Sequence, residues 1–311
     1  MTKSSPSNLA ASAKQRLLNR ARSSNEDFNL LLTNYVLERV LYRISKSAYR
    51  ELFILKGALL FDLWTDQAHR ATRDADFLSL GENSPERYAG IFREICVLPV
   101  EEDGLRFDPD TVDAVRIKEN ADYAGVRITF RGSMGSARVP VQIDIGFGDV
   151  VTPAPVETRF PTLLAGPAPV LRAYPRETVV AEKFEALVKL GLANTRMKDL
   201  CDLRTLSTLF PFESEKLSTA IRRTFQRRGT QLPVNEPPVA FTPAFTEHRE
   251  KNSQWNAFVE KNRLYVMPVG LPEVMSGLAD FLMPLIPAAG GSQPHSSRWQ
   301  PGGPWREAVQ D

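Results

Sequence analysis

The sequence predicts an α/β (α+β) protein in which strands that carry acidic residues are followed by helices. Two kinds of stretch predict this class. Short stretches alternate between apolar and polar residues, as strands do, and longer stretches carry apolar residues at helical spacing. The chain has 311 residues, of which 42% are hydrophobic, so we expect one large domain or two smaller ones, each with a core.

The first 50 residues are expected to form a helical N-terminal segment. Residues 1 to about 10 are rich in Ser, Pro and Asn and are expected to be disordered, whereas residues 11–47 predict helices. The helical prediction rests on apolar residues at helical spacing, which are Leu30, Leu31, Tyr35, Val36, Val40 and Leu41.

Residues 51–205 are expected to form the core of the protein. The predicted strands lie at 53–55, 73–80, 112–117, 126–131 and 139–147, and Gly132 and Gly135 mark a turn among the last three. The predicted helices lie at 58–65, 85–96, 175–191 and 198–210, and the second starts at Ser84-Pro85-Glu86. A Pro-rich connection is expected at 152–175.

Residues 206–286 are expected to form a helical C-terminal region, interrupted by a Pro-rich segment at 233–243. From residue 287 to residue 311, Gly, Pro, Ser and Gln dominate the composition. Segments of this kind bury little apolar surface, so we expect a disordered tail.

Composition narrows the possible functions and the possible location. The formal net charge is +2, so charge alone does not predict a nucleic-acid partner. The two cysteines, Cys96 and Cys201, cannot build a disulfide framework and suit a reducing compartment. Three scattered histidines exclude a His-rich metal cluster. Without a long apolar stretch or a signal-peptide pattern, we expect a cytoplasmic protein with no membrane partner.

Three carboxylates are the most informative residues. In the strand predicted around Asp74-Ala75-Asp76, alternate side chains share a face, so Thr72, Asp74 and Asp76 point the same way. In the strand at 139–147 the odd positions are apolar, which places Asp144 on the face that does not meet the core.

Carboxylates from two neighbouring strands provide oxygen ligands suited to Mg²⁺ (or Mn²⁺). Two such ions about 4 Å apart can hold the attacking and leaving oxygens of a phosphoryl transfer. The competing interpretation is a solvated strand face or a turn, because an Asp-x-Asp pair alone is common.

Five sequence blocks occur in order between residues 50 and 205: Phe53–Leu60, Arg70–Asp76, Val141–Gly146, Glu177–Phe184 and Arg196–Leu203. Together they resemble the AbiEii/AbiGii group of nucleotidyltransferase-fold toxins, which includes the mycobacterial MenT proteins. The chain departs from the group's Gly-Gly or Gly-Ser motif, since it has Gly57-Ala58. This departure removes the side-chain hydroxyl at position 58, whereas a backbone N–H there can still meet phosphate.

The resemblance implies a nucleotidyltransferase fold, in which a short mixed sheet presents the metal ligands. It implies that Asp74 and Asp76 bind metal ions shared with an NTP substrate, and that Asp144 binds a second metal near the acceptor hydroxyl. Lys183 matches the group's essential lysine. The acidic residue of the last block is Asp199, with Asp202 in reserve.

The residues themselves suggest where the triphosphate binds. Lys56-Gly57 lies where a strand passes into a helix, and Gly there allows close approach of the backbone to phosphate. A plain turn would also favour Gly. Arg73 alternates away from the carboxylates, so it is either structural or reaches the triphosphate. Thr72 shares the carboxylate face and would lie beside the nucleotide.

Lys183 borders the apolar face of the helix predicted at 175–191, where a charge is costly unless it meets an anion. The triphosphate of an NTP would be a suitable partner. Neutralisation by Glu182 or Glu185, or extension of the side chain into water, are the alternatives. Lys189 of the same helix is expected to face solvent.

The resemblance implies a toxin of a bacterial toxin–antitoxin pair, with a cognate antitoxin, that adds nucleotides from NTP, pyrimidines above all, to the 3′ end of tRNA and thereby blocks translation. It also implies silencing by phosphorylation at the Thr72 hydroxyl, where a phosphate would repel the triphosphate. The alternatives are a protein-modifying, adenylyltransferase-like enzyme and a catalytically silent protein that binds RNA or the antitoxin.

A basic cluster on a later helix is the candidate RNA-binding surface. It consists of Arg222, Arg223, Arg227 and Arg228, two pairs about one and a half turns apart around Phe225. A solvated helix face is the alternative interpretation. The substrate implied by the resemblance favours RNA.

Overall fold

The computed structural model describes residues 6–65, 69–120, 123–263, 265–291 and 296–307. The chain divides into two compact units. Unit 1 comprises residues 1–148 and 156–173, and unit 2 comprises residues 149–155 and 174–311.

Unit 1 is built around a sheet. Its helices are α1 (Pro6–Ser24), α2 (Phe28–Lys46), α3 (Leu60–Trp64) and α4 (Pro85–Val97). Its strands are β1 (Phe53–Lys56), β2 (Ala75–Ser79), β3 (Arg106–Asn120), β4 (Tyr123–Met134), β5 (Ala137–Phe147), β6 (Val156–Arg159) and β7 (Val170–Ala173).

The seven strands form one sheet in the order β3-β4-β5-β2-β1-β7-β6. Strand β2 is parallel to β5 and β1 is parallel to β7, while the other neighbouring pairs are antiparallel. This mixed sheet with helices confirms the predicted α/β class.

The two faces of the β4–β5 hairpin differ in polarity, and this difference positions the candidate site. The apolar residues of one face are buried, and helices α2 and α4 pack on the hairpin. These buried residues are Val126, Ile128 and Phe130 of β4 and Val139, Val141, Ile143 and Ile145 of β5. The opposite face is left to the polar residues that alternate with them.

Several predicted boundaries are close to those observed. Helix α4 begins where Ser84-Pro85-Glu86 predicted it, since the Ser84 hydroxyl accepts a hydrogen bond from the Arg87 N–H. The N-terminus was wrong in part, because α1 already starts at Pro6, so residues 6–10 are helical; residues 1–5 lie outside the described part. The Pro-rich connection also contains strands, β6 and β7, at the edge of the sheet.

Unit 2 is mainly helical. Its helices are α5 (Arg176–Leu190), α6 (Met197–Leu209), α7 (Ser214–Arg228), α8 (Pro243–Thr246), α9 (Arg249–Lys261), α10 (Leu271–Leu282) and α11 (Ile286–Ala289). Helices α5 and α7 pack through Phe184 and Phe225, whose ring centroids are 5.5 Å apart. Helices α5 and α6 therefore belong to unit 2, whereas the sequence grouped them with the 51–205 core.

The disordered tail expected at 287–311 is wrong for residues 287–289, which lie in α11, and for residues 296–307. Residues 296–307 form β9 (Ser297–Trp299) and β10 (Trp305–Glu307), which join β8 (Phe212–Glu213) in a second sheet. Trp299 is buried and donates from Nε1 to the Ser207 carbonyl at 2.6 Å. Trp299 and Trp305 bury apolar ring area and donate their N–H groups to carbonyl oxygens, which orders this segment. A composition dominated by Gly and Pro does not predict these contacts. Residues 292–295 and 308–311 lie outside the described part.

Two further observations concern composition. Both cysteines are free and buried, and burial raises the pKa of the Cys96 thiol to about 12. Among the helices of the described residues, none combines the length and apolar character needed to span a bilayer.

Candidate functional site

A row of four charged residues crosses the sheet of unit 1. Lys56 of β1 stands opposite Asp76 of β2, Asp76 stands beside Asp144 of β5, and Asp144 stands opposite Arg127 of β4. Register partners on neighbouring strands point to the same face, with strands about 4.8 Å apart. The structure thus brings Asp76 and Asp144 side by side, and it flanks them with cations.

Gly57 is fixed by its contact with Asp76. Its φ of +78° lies in the left-handed region, and a Cβ built there would overlap the Asp76 carboxylate. The turn after β1 therefore passes directly against this carboxylate. Helix α3 begins only at Leu60 and has five residues. The helix start that we expected to attract phosphate is therefore too far from Gly57 and too short for this role. The close approach of the backbone at Gly57 is the feature that remains.

Asp74 precedes β2 and is half-buried. The Thr72 hydroxyl donates a hydrogen bond to Asp74 Oδ1 at 2.7 Å, so Thr72 lies beside this carboxylate. Arg73 between them is exposed. Strand β2 begins at Ala75 rather than at residue 73 as predicted, so Thr72 and Asp74 meet in the segment before the strand.

Arg127 is the residue of this row that sequence reasoning missed. Its Nε and Nη2 donate to Asp144 Oδ1 and Oδ2, both at 2.8 Å. The hydrogen bonds that Arg127 donates to Asp144 raise the pKa of Arg127, burial opposes this, and the charges of Asp144, Asp74 and Asp76 raise the pKa further. A two-residue turn at Gly135-Ser136 would have revealed it, since such a hairpin sets Arg127 opposite Asp144.

The carboxylates fit a divalent cation in kind and in placement. They are oxygen ligands, and Asp76 and Asp144 share one face in direct register. As positioned, no group of three metal-binding side chains exists among the described residues. Arg127 also binds both oxygens of the Asp144 carboxylate. Arg127 is 38% exposed and Asp144 15%, so a cation would compete with a guanidinium that water can reach.

In unit 2, Lys183 of α5 binds two carboxylates of α6. Its Nζ lies 2.7 Å from Asp199 Oδ1 and 2.8 Å from Asp202 Oδ2. Both aspartates are fully buried, with side chains 3% and 1% exposed. The sequence left open whether Asp199 or Asp202 is the functional acid, and the geometry does not separate them, because Lys183 contacts both. Glu182 and Glu185, which the sequence offered as alternative neutralising partners of Lys183, bind Arg228.

Asp199 is the centre of this cluster. Burial alone would raise its pKa, but the charges of Lys183 and Arg196, helped by the Lys183 hydrogen bond, lower it below the ordinary 3.8. Arg196 Nε lies 2.5 Å from Asp199 Oδ2. The cluster of Lys183, Arg196, Asp199 and Asp202 thus joins two basic and two acidic side chains.

A buried lysine of α9 supports the loop that carries Arg196. Lys251 Nζ donates to the Asn194 carbonyl at 2.9 Å, and the Arg196 N–H donates to Asn194 Oδ1 at 2.8 Å. Lys251 is 4% exposed. A chain of contacts thus runs from Lys251 through Asn194 and Arg196 to Asp199.

The predicted basic cluster of α7 is smaller than expected. Arg223 and Arg227 are exposed and Arg222 is half-buried, but the Arg228 side chain is only 6% exposed. Arg228 binds Glu185 at 2.9 Å, Asp149 at 3.1 Å and Glu182 at 3.3 Å. Including Arg228 in an RNA surface was therefore wrong, because three carboxylates distant in sequence converge on it. Phe225, the expected centre of the patch, is buried.

The candidate residues thus divide between the units. Asp74, Asp76 and Asp144 lie in unit 1 with Lys56 and Gly57, and Lys183, Asp199 and Asp202 lie in unit 2. Lys189 is exposed, as predicted.

The sequence matches the family of the nucleotidyl transferase AbiEii toxin, a type IV toxin–antitoxin system, over residues 39–279. Since this match spans well over half of the chain, the protein belongs to the AbiEii family of nucleotidyltransferase toxins, which confirms the resemblance and the enzyme class. A toxin of such a system has a cognate antitoxin.

Two solved structures from Helicobacter pylori are similar to the chain. One is a protein provisionally assigned as a nucleotidyltransferase, with a TM-score of 0.49 and 14% identity over 84% of this chain and 96% of that one. The other is JHP933, with a TM-score of 0.49 and 13% identity over 84% of this chain and 93% of that one. No curated relative matches the sequence.

Proposed function

We propose that this toxin transfers nucleotides, pyrimidines above all, from NTP to the 3′ end of tRNA in the cytoplasm, and so blocks aminoacylation and translation. The observation that carries the proposal is the register of Asp76 and Asp144, with Gly57 against the Asp76 carboxylate. Carboxylates in this arrangement suit an anionic substrate only when cations accompany it.

Asp74, Asp76 and Asp144 would hold Mg²⁺ (or Mn²⁺), which supplies positive charge for the triphosphate and lowers the pKa of the acceptor hydroxyl. The chain's own contribution is positioning. Gly57 leaves room for the Asp76 carboxylate, and the Thr72 hydroxyl orients Asp74. Lys56, opposite Asp76 in the row, adds a nearby cation for the nucleotide.

Lys183 is proposed to contact the triphosphate. Its side chain is 14% exposed, and Asp199 and Asp202 fix the position of Nζ. The two carboxylates hold Nζ in one position, which pre-positions this amine for contact with a phosphate group.

Thr72 is proposed as a regulatory phosphorylation site. Its hydroxyl touches Asp74, so a phosphate there would add about two negative charges beside a carboxylate and weaken NTP binding. A Thr72→Glu variant should lose transfer, whereas Thr72→Val should keep most of it. An active Thr72→Glu enzyme would remove Thr72 from the site.

The direct test is to incubate the protein with total tRNA and each labelled NTP in turn, with Mg²⁺ or with a chelator. We expect label at the tRNA 3′ end, strongest with CTP or UTP and absent with chelator. Asp76→Asn is the matched inactive control. Label on protein rather than RNA would support the adenylyltransferase-like alternative, and no label with any NTP or acceptor would support the silent binding protein.

A further inference from the structure

The polar face of the β4–β5 hairpin changes character along its length. At one end Asp144 faces Arg127, next Gln142 faces Thr129, then Pro140 faces Arg131, and finally Arg138 faces Ser133. The side chains of Asp144, Gln142 and Arg138 share this face because they are two or four residues apart. The face therefore passes from carboxylates at the candidate site to arginines at the hairpin turn.

A groove of about 770 Å³ runs along this part of β5. Its lining includes Arg73, Arg131 and Arg138, with the uncharged polar residues Thr129 and Gln142. Asn29 and Leu32 of α2 and the buried Val139 and Val141 also line it, so the groove follows the edge of β5 that no described strand covers. No carboxylate contributes to the lining among the described residues. Arg73 adjoins Asp74 in sequence and Gln142 lies one step from Asp144 on the face, so the groove leads to the carboxylates.

The three arginines of the groove lack the carboxylate partners that Arg39, Arg43 and Arg127 of unit 1 have. All three groove arginines are exposed, and within the described residues no ion pair or hydrogen bond holds their guanidinium groups. Three exposed guanidinium groups without internal partners along one groove suit an external polyanion.

We infer that this groove binds the phosphate backbone of the RNA whose end receives the nucleotide, an inference that rests on the proposed transfer to RNA. From Asp144 to Arg138 the strand spans roughly 20 Å at 3.3–3.4 Å per residue. At about 3.4 Å per nucleotide of a helical strand, this accommodates on the order of six phosphates. An RNA end placed at Asp144 therefore has its preceding phosphates along the arginines.

The competing occupant is a peptide strand added to the edge of β5. Strand β2 pairs with β5 only at residues 143–147, so no strand of the described part covers this edge at 137–142. However, Pro140 lies in the middle of the segment and has no N–H to donate, which disfavours strand addition. The basic side chains favour RNA.

Asp108 provides a second, opposite test of the same surface. It stands opposite Arg131 on β3 and is exposed, so its charge opposes binding of a polyanion. Removing this charge should strengthen RNA binding, whereas removal of an arginine should weaken it. A variant with increased affinity cannot be explained by misfolding.

The experiment is fluorescence anisotropy with labelled tRNA over a salt series, without NTP or metal. The triple variant Arg73→Gln/Arg131→Gln/Arg138→Gln should bind about tenfold or more weakly, with the log–log salt slope reduced by roughly 2–3. The arginines of α7 form the competing RNA surface that the sequence suggested, so Arg222→Gln/Arg223→Gln/Arg227→Gln removes the same charge from that surface and should lose clearly less affinity than the groove variant. Asp108→Asn should bind about twofold more tightly.

The groove assignment would be overturned if the groove variant bound RNA as tightly as wild type, or if the α7 variant lost as much RNA affinity as the groove variant. It would also be overturned if the groove variant lost antitoxin binding and kept RNA binding. If the groove variant still transferred nucleotides to RNA with an unchanged KM for RNA, the groove assignment would be overturned and the proposed function would stand. Specific loss of RNA binding in the groove variant, with no transfer to RNA by the wild type, would support the groove and overturn the proposed function.

Discussion

The two charged clusters of this toxin differ in how open they are. In unit 1 the Asp144–Arg127 pair is partly exposed, with the guanidinium 38% accessible to solvent. In unit 2 the carboxylates that bind Lys183 are 3% and 1% exposed. An exposed pair is screened by water and can exchange partners, whereas buried charges depend on each other. We infer that the first cluster changes partners during function and the second serves as a fixed frame.

The largest expected effect is a difference in unfolding free energy between variants of the two clusters. Asp199→Ala should cost about 2–3 kcal/mol of unfolding free energy, because Lys183 and Arg196 lose a buried carboxylate while Lys183 keeps Asp202. Asp144→Asn should cost less than about 1 kcal/mol, because Arg127 is exposed enough to be hydrated. Urea denaturation of both variants measures the difference. Equal losses would remove the distinction between the clusters.

Lys183 tests whether the frame also binds substrate. At a temperature where the variant is folded, Lys183→Ala should raise the KM for NTP by about tenfold or more, since it loses a charge-assisted contact. Lys183→Arg should restore this poorly, because a planar guanidinium places its charge differently. Lys189→Ala, on the exposed side of α5, is the control and should stay within about twofold. An unchanged KM for Lys183→Ala would restrict this lysine to a structural role.

Gly57 offers a smaller and more local test in unit 1. Gly57→Ala combines left-handed backbone strain of about 1–3 kcal/mol with displacement of the Asp76 carboxylate. Gly135→Ala has a similar φ of +60° with no atom within 4 Å of the new Cβ, so it carries the backbone strain alone. We expect both to lower the melting temperature and only Gly57→Ala to lose transfer. Loss of transfer in both would implicate backbone strain in general.

The smallest effect is a pH dependence of the buried cluster. The pKa of Asp199 is lowered in the folded protein, so its contribution to stability is present above the unfolded value near 3.8 and disappears as pH falls through the folded value. The stability difference between wild type and Asp199→Asn should therefore be constant near neutral pH and shrink below about pH 4. Chemical denaturation at several pH values measures it. A difference that grows on acidification would reverse the assignment.

Local signals in the sequence predicted much of unit 1. Ser84-Pro85-Glu86 predicted the start of α4, because capping depends only on neighbouring residues. The alternation around Asp144 predicted its polar face, because one strand decides which face its side chains share. The resemblance of the sequence blocks supplied the family, which the match over residues 39–279 confirms.

Contacts between distant residues could not be predicted in the same way. Arg228 belongs to a basic cluster in sequence, yet Asp149, Glu182 and Glu185 enclose it in the fold. Trp299 lies in a Gly- and Pro-rich tail, yet its indole packs inside unit 2. Such contacts depend on the tertiary arrangement of elements, on which residue composition carries little information.

The most direct test of the central claim is Mn²⁺ binding in the presence of NTP, measured by calorimetry on wild type, Asp76→Asn and Lys189→Ala. We predict that wild type and Lys189→Ala bind the ion alike, and that Asp76→Asn, with its fold intact by circular dichroism, binds it at least about tenfold more weakly, or ~1.4 kcal/mol. Equal Mn²⁺ affinity in all three proteins would contradict the assignment of this strand face as the catalytic cation site.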